Sequence, residues 1–125
     1  MEIGVQVIQV IIAIVLLSVW LIRPRMQTRY RGGDAKNLKE EFAVYGLPYW
    51  FMIFIGILKV SAGILLIIGL WFPVVTPYTA IGVALLMAGA ISMHIRVKDQ
   101  IVKSLPALTL LVLSLLVYFL PMINL

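Results

Sequence analysis

The stretch "GILKVSAGILLIIGLWFPVVTPYTAIGVALLMAGA", Gly56–Ala90, decides how this chain is built. It holds two long apolar runs separated by "WFPVVTP", Trp71–Pro77. A bilayer core of about 30 Å needs about 20 predominantly apolar residues per helix. The prolines and the short polar-poor turn leave the two runs no room to do anything but fold back on each other. The stretch reads as an antiparallel hairpin of membrane helices. It also carries one charge, Lys59, roughly 16 Å of helix rise from either end of its helix.

Working outward, the same criterion finds four spans. They cover Ile3–Ile22, Tyr49–Leu70, Pro77–Ile95 and Leu105 to about Met122, the last running past Pro121. Of the 125 residues, 63% are apolar, and the mean hydropathy is +1.12. A water-soluble domain of this length exposes far more polar surface. The expected fold class is all-α: a single transmembrane domain, 1–125, folded as an integral membrane antiparallel four-helix bundle. The first span is not expected to be a cleaved signal peptide, since Glu2 precedes it and no small-x-small site follows.

The net charge of +5 is topological information. Of the ten Lys and Arg, six lie in "RPRMQTRYRGGDAKNLKEEFAVYGLP" and three in "RVKDQIVK", and "WFPVVTP" has none. Positive connections stay in the cytoplasm. The first and third connections are therefore expected to be cytoplasmic, with both termini outside. No basic, aromatic-interleaved surface is left for nucleic acid.

The first connection is expected to contain an amphipathic helix over about 35–45, capped by Asp34 and lying on the inner membrane surface. Ala35, Leu38, Phe42 and Tyr45 share one face of it, and Gly46 supplies the left-handed residue after it. Thr76 is a candidate cap for the third span, and Pro48, Pro77 and Pro106 suit first helical turns. Trp71, Phe72, Tyr118 and Phe119 suit the outer interface.

Lipid tails give helices no hydrophobic reason to associate, so small residues mark close contacts. Gly56 and Gly63 lie one heptad apart, as do Gly82 and Gly89. These four are the expected packing residues, placing the second span against the third. Lys59 is within about 60° of both Gly56 and Gly63 on the helix surface, so it should face protein. The spans contain no Asp or Glu with which to pair it. Three readings remain: satisfaction by neutral acceptors such as Gln9 and backbone carbonyls, a role facing a ligand or partner, or a neutral packed amine.

Little conventional chemistry is available. Without cysteine there are no disulfides, thiol nucleophiles or Cys-based metal sites. With one histidine, His94, no metal cluster or bis-histidine haem is expected. There is no dinucleotide fingerprint and no convincing Ser/His/Asp set. The segment "MHIRVKD" offers His94, Arg96 and Asp99 at the membrane surface, with Glu40 or Glu41 as expected partners of Arg96. The binding candidates are Lys59, His94, Arg96, Asp99, Glu41 and Gln9; no catalytic residue and no metal site is assigned.

From Glu41 onward the chain resembles the DoxX-like family of small four-helix membrane proteins. The resemblance rests on Gly46-Leu47-Pro48, Gly56-Ile57-Leu58-Lys59, Ala62-Gly63, Gly69, Pro73, Gly82, Gly89-Ala90, His94-Ile95-Arg96, Asp99 and Pro106. In related members the Lys59 position is often glutamate, while others carry lysine. The family takes its name from a subunit of a thiosulfate:quinone oxidoreductase, and other members resemble parts of oxidoreductase or oxidative-stress assemblies. More distant animal relatives resemble chaperones for receptor assembly. The resemblance implies an accessory subunit of a membrane redox or oxidative-stress system, holding a quinone or lipid or docking a soluble or membrane oxidoreductase. It is not expected to be an enzyme alone, and no cofactor is expected to be ligated by the chain itself. The alternative is a non-enzymatic scaffold or assembly chaperone that binds other transmembrane helices. Membrane lipids are expected contacts under either reading, and a homo-oligomer is compatible with both.

Overall fold

The computed structural model describes residues 2–22 and 30–123, so Arg23, Arg25 and Arg29 of the first connection lie outside the described residues. Five α-helices follow in order: α1 (Glu2–Leu17), α2 (Leu38–Val44), α3 (Tyr49–Ile68), α4 (Thr76–Arg96) and α5 (Leu105–Ile123). No strand occurs among the described residues. Four helical segments are long and apolar enough to cross a membrane: Ile3–Leu21, Tyr49–Ile68, Pro73–Arg96 and Ile101–Ile123. The four expected spans are present, and α5 continues through Pro121 as the sequence allows.

The long helices form a ring in the order α1, α3, α4, α5, each packed on its two neighbours; the diagonal pairs do not pack backbone to backbone among the described residues. The centre is filled from all four by side chains such as Ile12, Leu66, Val83, Met87, Leu110 and Val117. Outside, large apolar residues are bare: Ile57 is 60% exposed and Leu85 is 70% exposed. An apolar periphery around an apolar centre is stable when the surroundings are hydrocarbon, because intrahelical bonds already satisfy the backbone.

The glycine seam differs from the expectation. Gly56 and Gly63 do mark a close contact, but with α1. A Cβ on Gly56 would lie 2.7 Å from the Trp20 ring, and one on Gly63 would lie 3.0 Å from Leu17 Cγ. Gly82 and Gly89 face open space, with nothing within 4 Å of an added Cβ. The glycines of the second and third spans therefore do not face each other. Within the Gly56–Ala90 hairpin, α3 and α4 meet through other residues, and α4 packs most extensively on α5. Helical phase locates a small face but does not choose its neighbour.

The end of α1 carries a five-residue π-helical turn, Ser18–Ile22. Such turns insert an extra residue and re-aim the side chains that follow. Here Trp20 lies against Gly56 of α3 and meets Phe42 of α2 edge to face, with ring centroids 6.2 Å apart.

The first connection contains α2, shorter than expected and differently capped. The cap is Asn37 rather than Asp34: its side chain accepts from Glu40 N–H at 2.8 Å, and Glu40 Oε1 accepts from Lys36 N–H at 2.9 Å. This is the reciprocal logic of a capping box, with the return bond shifted by one residue. The face expected from the sequence is the buried one: Ala35, Leu38, Phe42 and Tyr45 are all less than 9% exposed. After Tyr45, Gly46 adopts φ +76°, and Leu47 N–H bonds to Phe42 O at 2.9 Å, a Schellman ending. Leu38 and Phe42 cluster with Met52 and contact Trp20, Val19 and Ile55, so α2 is docked onto the ends of α1 and α3.

Two smaller expectations also shift. Thr76 begins α4 rather than capping it; its hydroxyl reaches Gly69 O at 3.5 Å. Pro48 is the N-cap of α3, one position before the first turn.

Candidate functional site

Six ionisable side chains gather at one end of the bundle, where α2 and the ends of α4 and α5 meet. This is the basic end of the bundle. Glu41 projects from the buried face of α2. Its Oε1 lies 3.4 Å from Arg31 Nη1, and its Oε2 accepts from Gly32 N–H and from the Tyr45 hydroxyl, both at 2.8 Å. The Tyr45 oxygen lies 3.5 Å from His94 Nε2. On the other side of the ring, His94 Nδ1 lies 2.7 Å from Asp99 Oδ2. Asp99 Oδ1 accepts from Gly33 N–H at 3.0 Å and lies 3.7 Å from Lys103 Nζ, which donates to Gly33 O. A continuous row results: Arg31, Glu41, Tyr45, His94, Asp99, Lys103.

Local backbone chemistry builds this row. The end of α4 is a Schellman turn with Lys98 in the left-handed position at φ 60°, and Asp99 N–H bonds to His94 O at 2.9 Å. That turn folds Asp99 back beneath the histidine five residues earlier. On the opposite side, Gly33 at φ +54° presents its N–H to Asp99, and Gly32 lies so close under Tyr45 that a Cβ would sit 2.5 Å from the ring. The "RGGD" glycines thus allow the first connection to approach the phenol and the carboxylate.

Electrostatics follow from the contacts. For Asp99, burial alone would raise the carboxyl. The hydrogen bond from His94, the Gly33 N–H and the Lys103 charge together outweigh burial and hold it below the usual carboxylate range. Burial, and then the Glu41 charge and hydrogen bond, push the Tyr45 phenol far above its ordinary value. Tyr45 is therefore a permanent donor. With Asp99 ionised, Nδ1 carries a proton to give it. The single Tyr45 proton goes to Glu41, the nearer partner, and the phenol oxygen stands 3.5 Å from Nε2.

The row forms the polar wall of a cavity of about 280 Å³ that reaches down between the helices. Arg31, Glu41, His94 and Lys103 line it at the basic end, and Val15, Leu16, Met87, Ala107 and Leu110 line its apolar depth. Lys59 enters this cavity from α3, with Nζ 5.5 Å from the centroid of the Trp20 ring. A cation over an indole face is attracted by the ring quadrupole. Two other hollows exist: a groove of about 800 Å³ along α2 and α3, and one of about 350 Å³ at the opposite end, between the α1 and α5 termini. The inner cavity is the candidate site because convergent ionisable groups and apolar depth coincide there.

The structure thus brings together Lys59, His94, Asp99 and Glu41 and separates the other two candidates from them. Arg96 is exposed. The expected Arg96 pairing is replaced: Glu41 takes Arg31, and Glu40 folds onto the α2 cap. Gln9 is not an acceptor for Lys59. It is buried at the opposite end, where Nε2 donates to Leu66 O at 2.6 Å and to Thr76 Oγ1 at 3.3 Å. Leu66 O needs that donor because Leu70 N–H bonds Ile67 O instead. A side chain on Gly69 would run into both Gln9 and Thr76. His94, expected at the membrane surface, is 5% exposed.

Sequence reasoning missed Arg31, Tyr45, Lys103 and Trp20. Tyr45 was visible as part of a buried helical face, and Glu41 precedes it by one helical turn. Arg31 and Lys103 were absorbed into the charge count that set topology. Among the described residues no group of three or more His, Cys, Asp or Glu could hold a metal ion.

The profile of the DoxX-like family matches residues 30–117. The chain belongs to the DoxX-like family. The matched region runs from just before Arg31 to Val117 and so contains the whole polar row and Lys59. A Bacillus subtilis (strain 168) protein, YdgD, described as uncharacterised, is 30% identical over 96 residues, which span 69% of this chain and 81% of YdgD. No solved structure matches the chain. Family and helices together make this DoxX-like chain a multi-pass membrane protein.

Proposed function

We propose that this DoxX-like protein is an accessory membrane subunit that holds the head of a quinone or lipid in its inner cavity, within a membrane redox or oxidative-stress system. The observation that carries the reading is Lys59. Its ammonium enters a cavity whose depth is apolar and whose mouth is ionic, and among the described residues it makes no hydrogen bond or ion pair. A lysine deep in a membrane protein costs about 2.5–3.5 kcal/mol on insertion scales. An acceptor on a bound head group would offset that cost. A quinone fits the donor set, since a carbonyl oxygen can accept from Lys59 while its ring rests on the apolar walls. The volume suits a head group rather than an entire lipid.

The same observation favours a ligand over a partner helix. Lys59 opens into a space shared by residues of α1, α3, α4 and α5, where an additional transmembrane helix has no room. The charge asymmetry of the connections supports a cytoplasmic basic end with both termini outside, an orientation that would put the polar row within reach of a soluble redox partner.

The test is extraction and mass spectrometry of the full chain purified from its own membrane. The expected result is one class of amphiphile in near-equal molar amount, depleted in Lys59→Met. Recovery of nothing above the bulk lipid background would overturn the ligand-holding role.

A further inference from the structure

The chain contains five acidic residues, Glu2, Asp34, Glu40, Glu41 and Asp99. Each can be located relative to Lys59. Glu2 begins α1, at the opposite end of the bundle. Asp34 and Glu40 are exposed, and Glu40 is bonded to Lys36 N–H. Glu41 is used by Arg31, Gly32 and Tyr45. Asp99 is used by His94, Gly33 and Lys103. The residues outside the description, among them 23–29, contain no acid at all. Among the described residues no carboxylate forms an ion pair with Lys59: Glu41 lines the same cavity and acts on Lys59 through its charge, but its oxygens are engaged by Arg31, Gly32 and Tyr45.

The cavity is correspondingly unbalanced. Its lining contains the cations Arg31, Lys59 and Lys103 against one carboxylate, Glu41. Asp99, bonded behind His94, offsets Lys103. Arg31 and Lys103 are matched, and Lys59 is the surplus charge. A neutral carbonyl would give Lys59 a hydrogen bond but leave its charge uncompensated in a low-dielectric space. An anion supplies both the acceptor and the counter-charge.

Building on the ligand-holding reading, we infer that the inner cavity selects an amphiphile with an anionic head, a long-chain carboxylate or a phosphate-headed lipid, seated on Lys59 with its first methylenes along Val15, Leu16, Met87 and Leu110. The Trp20 ring then forms the side of the anion site, holding the ammonium from the face opposite the ligand.

Trp20 is also the reporter. In a Trp50→Phe, Trp71→Phe background it is the sole tryptophan, and both replaced rings are exposed. The full chain is placed in phosphatidylcholine nanodiscs and titrated with ω-bromoundecanoate, ω-bromoundecyl phosphate, ω-bromoundecanol and a brominated decylquinone, reading quenching of Trp20. The expected result is saturable quenching by one or both anions at a concentration about tenfold below that of the alcohol and the quinone. The carboxylate alone would identify a fatty acid, and the phosphate alone a phospholipid-type head. Lys59→Met should remove the preference and Lys59→Arg should keep it, with helix content checked by circular dichroism. Should Lys59→Met fail to fold, the anion preference and its retention in Lys59→Arg decide the matter. Equal quenching by charged and neutral probes would overturn anion selection while leaving a ligand site. Saturation by none of the four would remove the ligand site itself.

Discussion

Tyr45 links the buried Glu41 carboxylate to the His94 ring through one hydroxyl. It donates to Glu41 at 2.8 Å and stands 3.5 Å from His94. Tyr45→Phe keeps the ring under Phe42 and removes a hydrogen bond to a charged group, a loss of about 1.5–3 kcal/mol. Denaturation in detergent micelles should show that loss, with helix content at low temperature unchanged. Asp99 carries a pH dependence whose sign follows from its lowered carboxyl. Its unfolded-state value is about 3.9, and its folded value is lower. The stability it contributes is therefore complete above about pH 4 and is lost as pH falls through the folded value. The melting-temperature gap between the wild type and Asp99→Asn should be widest near neutrality and should close in acid; a gap that widens in acid would contradict the sign.

At the scale of elements, glycine is informative only with its neighbour. Gly56 accepts the Trp20 ring because the π-helical turn at the end of α1 aims that ring at α3. Gly56→Ala forces the ring to move and should cost about 1–3 kcal/mol, the range for overpacking. Gly82→Ala meets nothing and should be neutral or stabilising by about 0.5–1 kcal/mol, the usual gain from replacing helical glycine. Parallel unfolding curves of the two variants check this, and equal losses would refute the assigned seam. The heptad spacing of both glycine pairs was legible in the sequence and is identical, yet only one pair is buried in a contact. Which helix a small face meets depends on how all four are arranged around the ring. The short helix α2 was legible for a different reason: its apolar positions repeat at helical spacing, so its buried face follows from periodicity. Its cap was misplaced because Asp34 and Asn37 both suit that role. Only Asn37 has Glu40 three residues on.

For the whole molecule, the distribution of Lys and Arg sets the expected orientation, with the basic end in the cytoplasm. The chain lacks cysteine, which makes a direct test simple. Val74 lies in the turn before α4 and is 72% exposed. Val74→Cys should react with a membrane-impermeant maleimide on intact cells, and a cysteine at the exposed Lys36 should react only after permeabilisation. The opposite pattern would invert the proteins's orientation without altering its fold. Orientation in turn decides which compartment reaches the inner cavity, and so which head groups it can sample.

What the sequence determined by itself was whatever depends on local composition and period: four spans, the tight turn at Trp71–Pro77, the buried face of α2, and the fact that Lys59 has no acid within the membrane. Each is a property of a continuous segment, and hydrocarbon leaves such a segment few alternatives to a helix. Tertiary structure decided the rest. It set Gln9 against Leu66 at the far end, placed Trp20 over Lys59, and folded Asp99 beneath His94 through the left-handed Lys98. It also brought Glu41 and Tyr45 to that histidine from a different helix. Apart from the local Asp99–His94 turn, these contacts join residues dozens of positions apart, and their distances depend on helix order rather than on any single segment. Lys59 shows both sides of this division. That no acid shares the spans with it is written in the list of residues, and the cavity it enters exists only once the helices have closed around it.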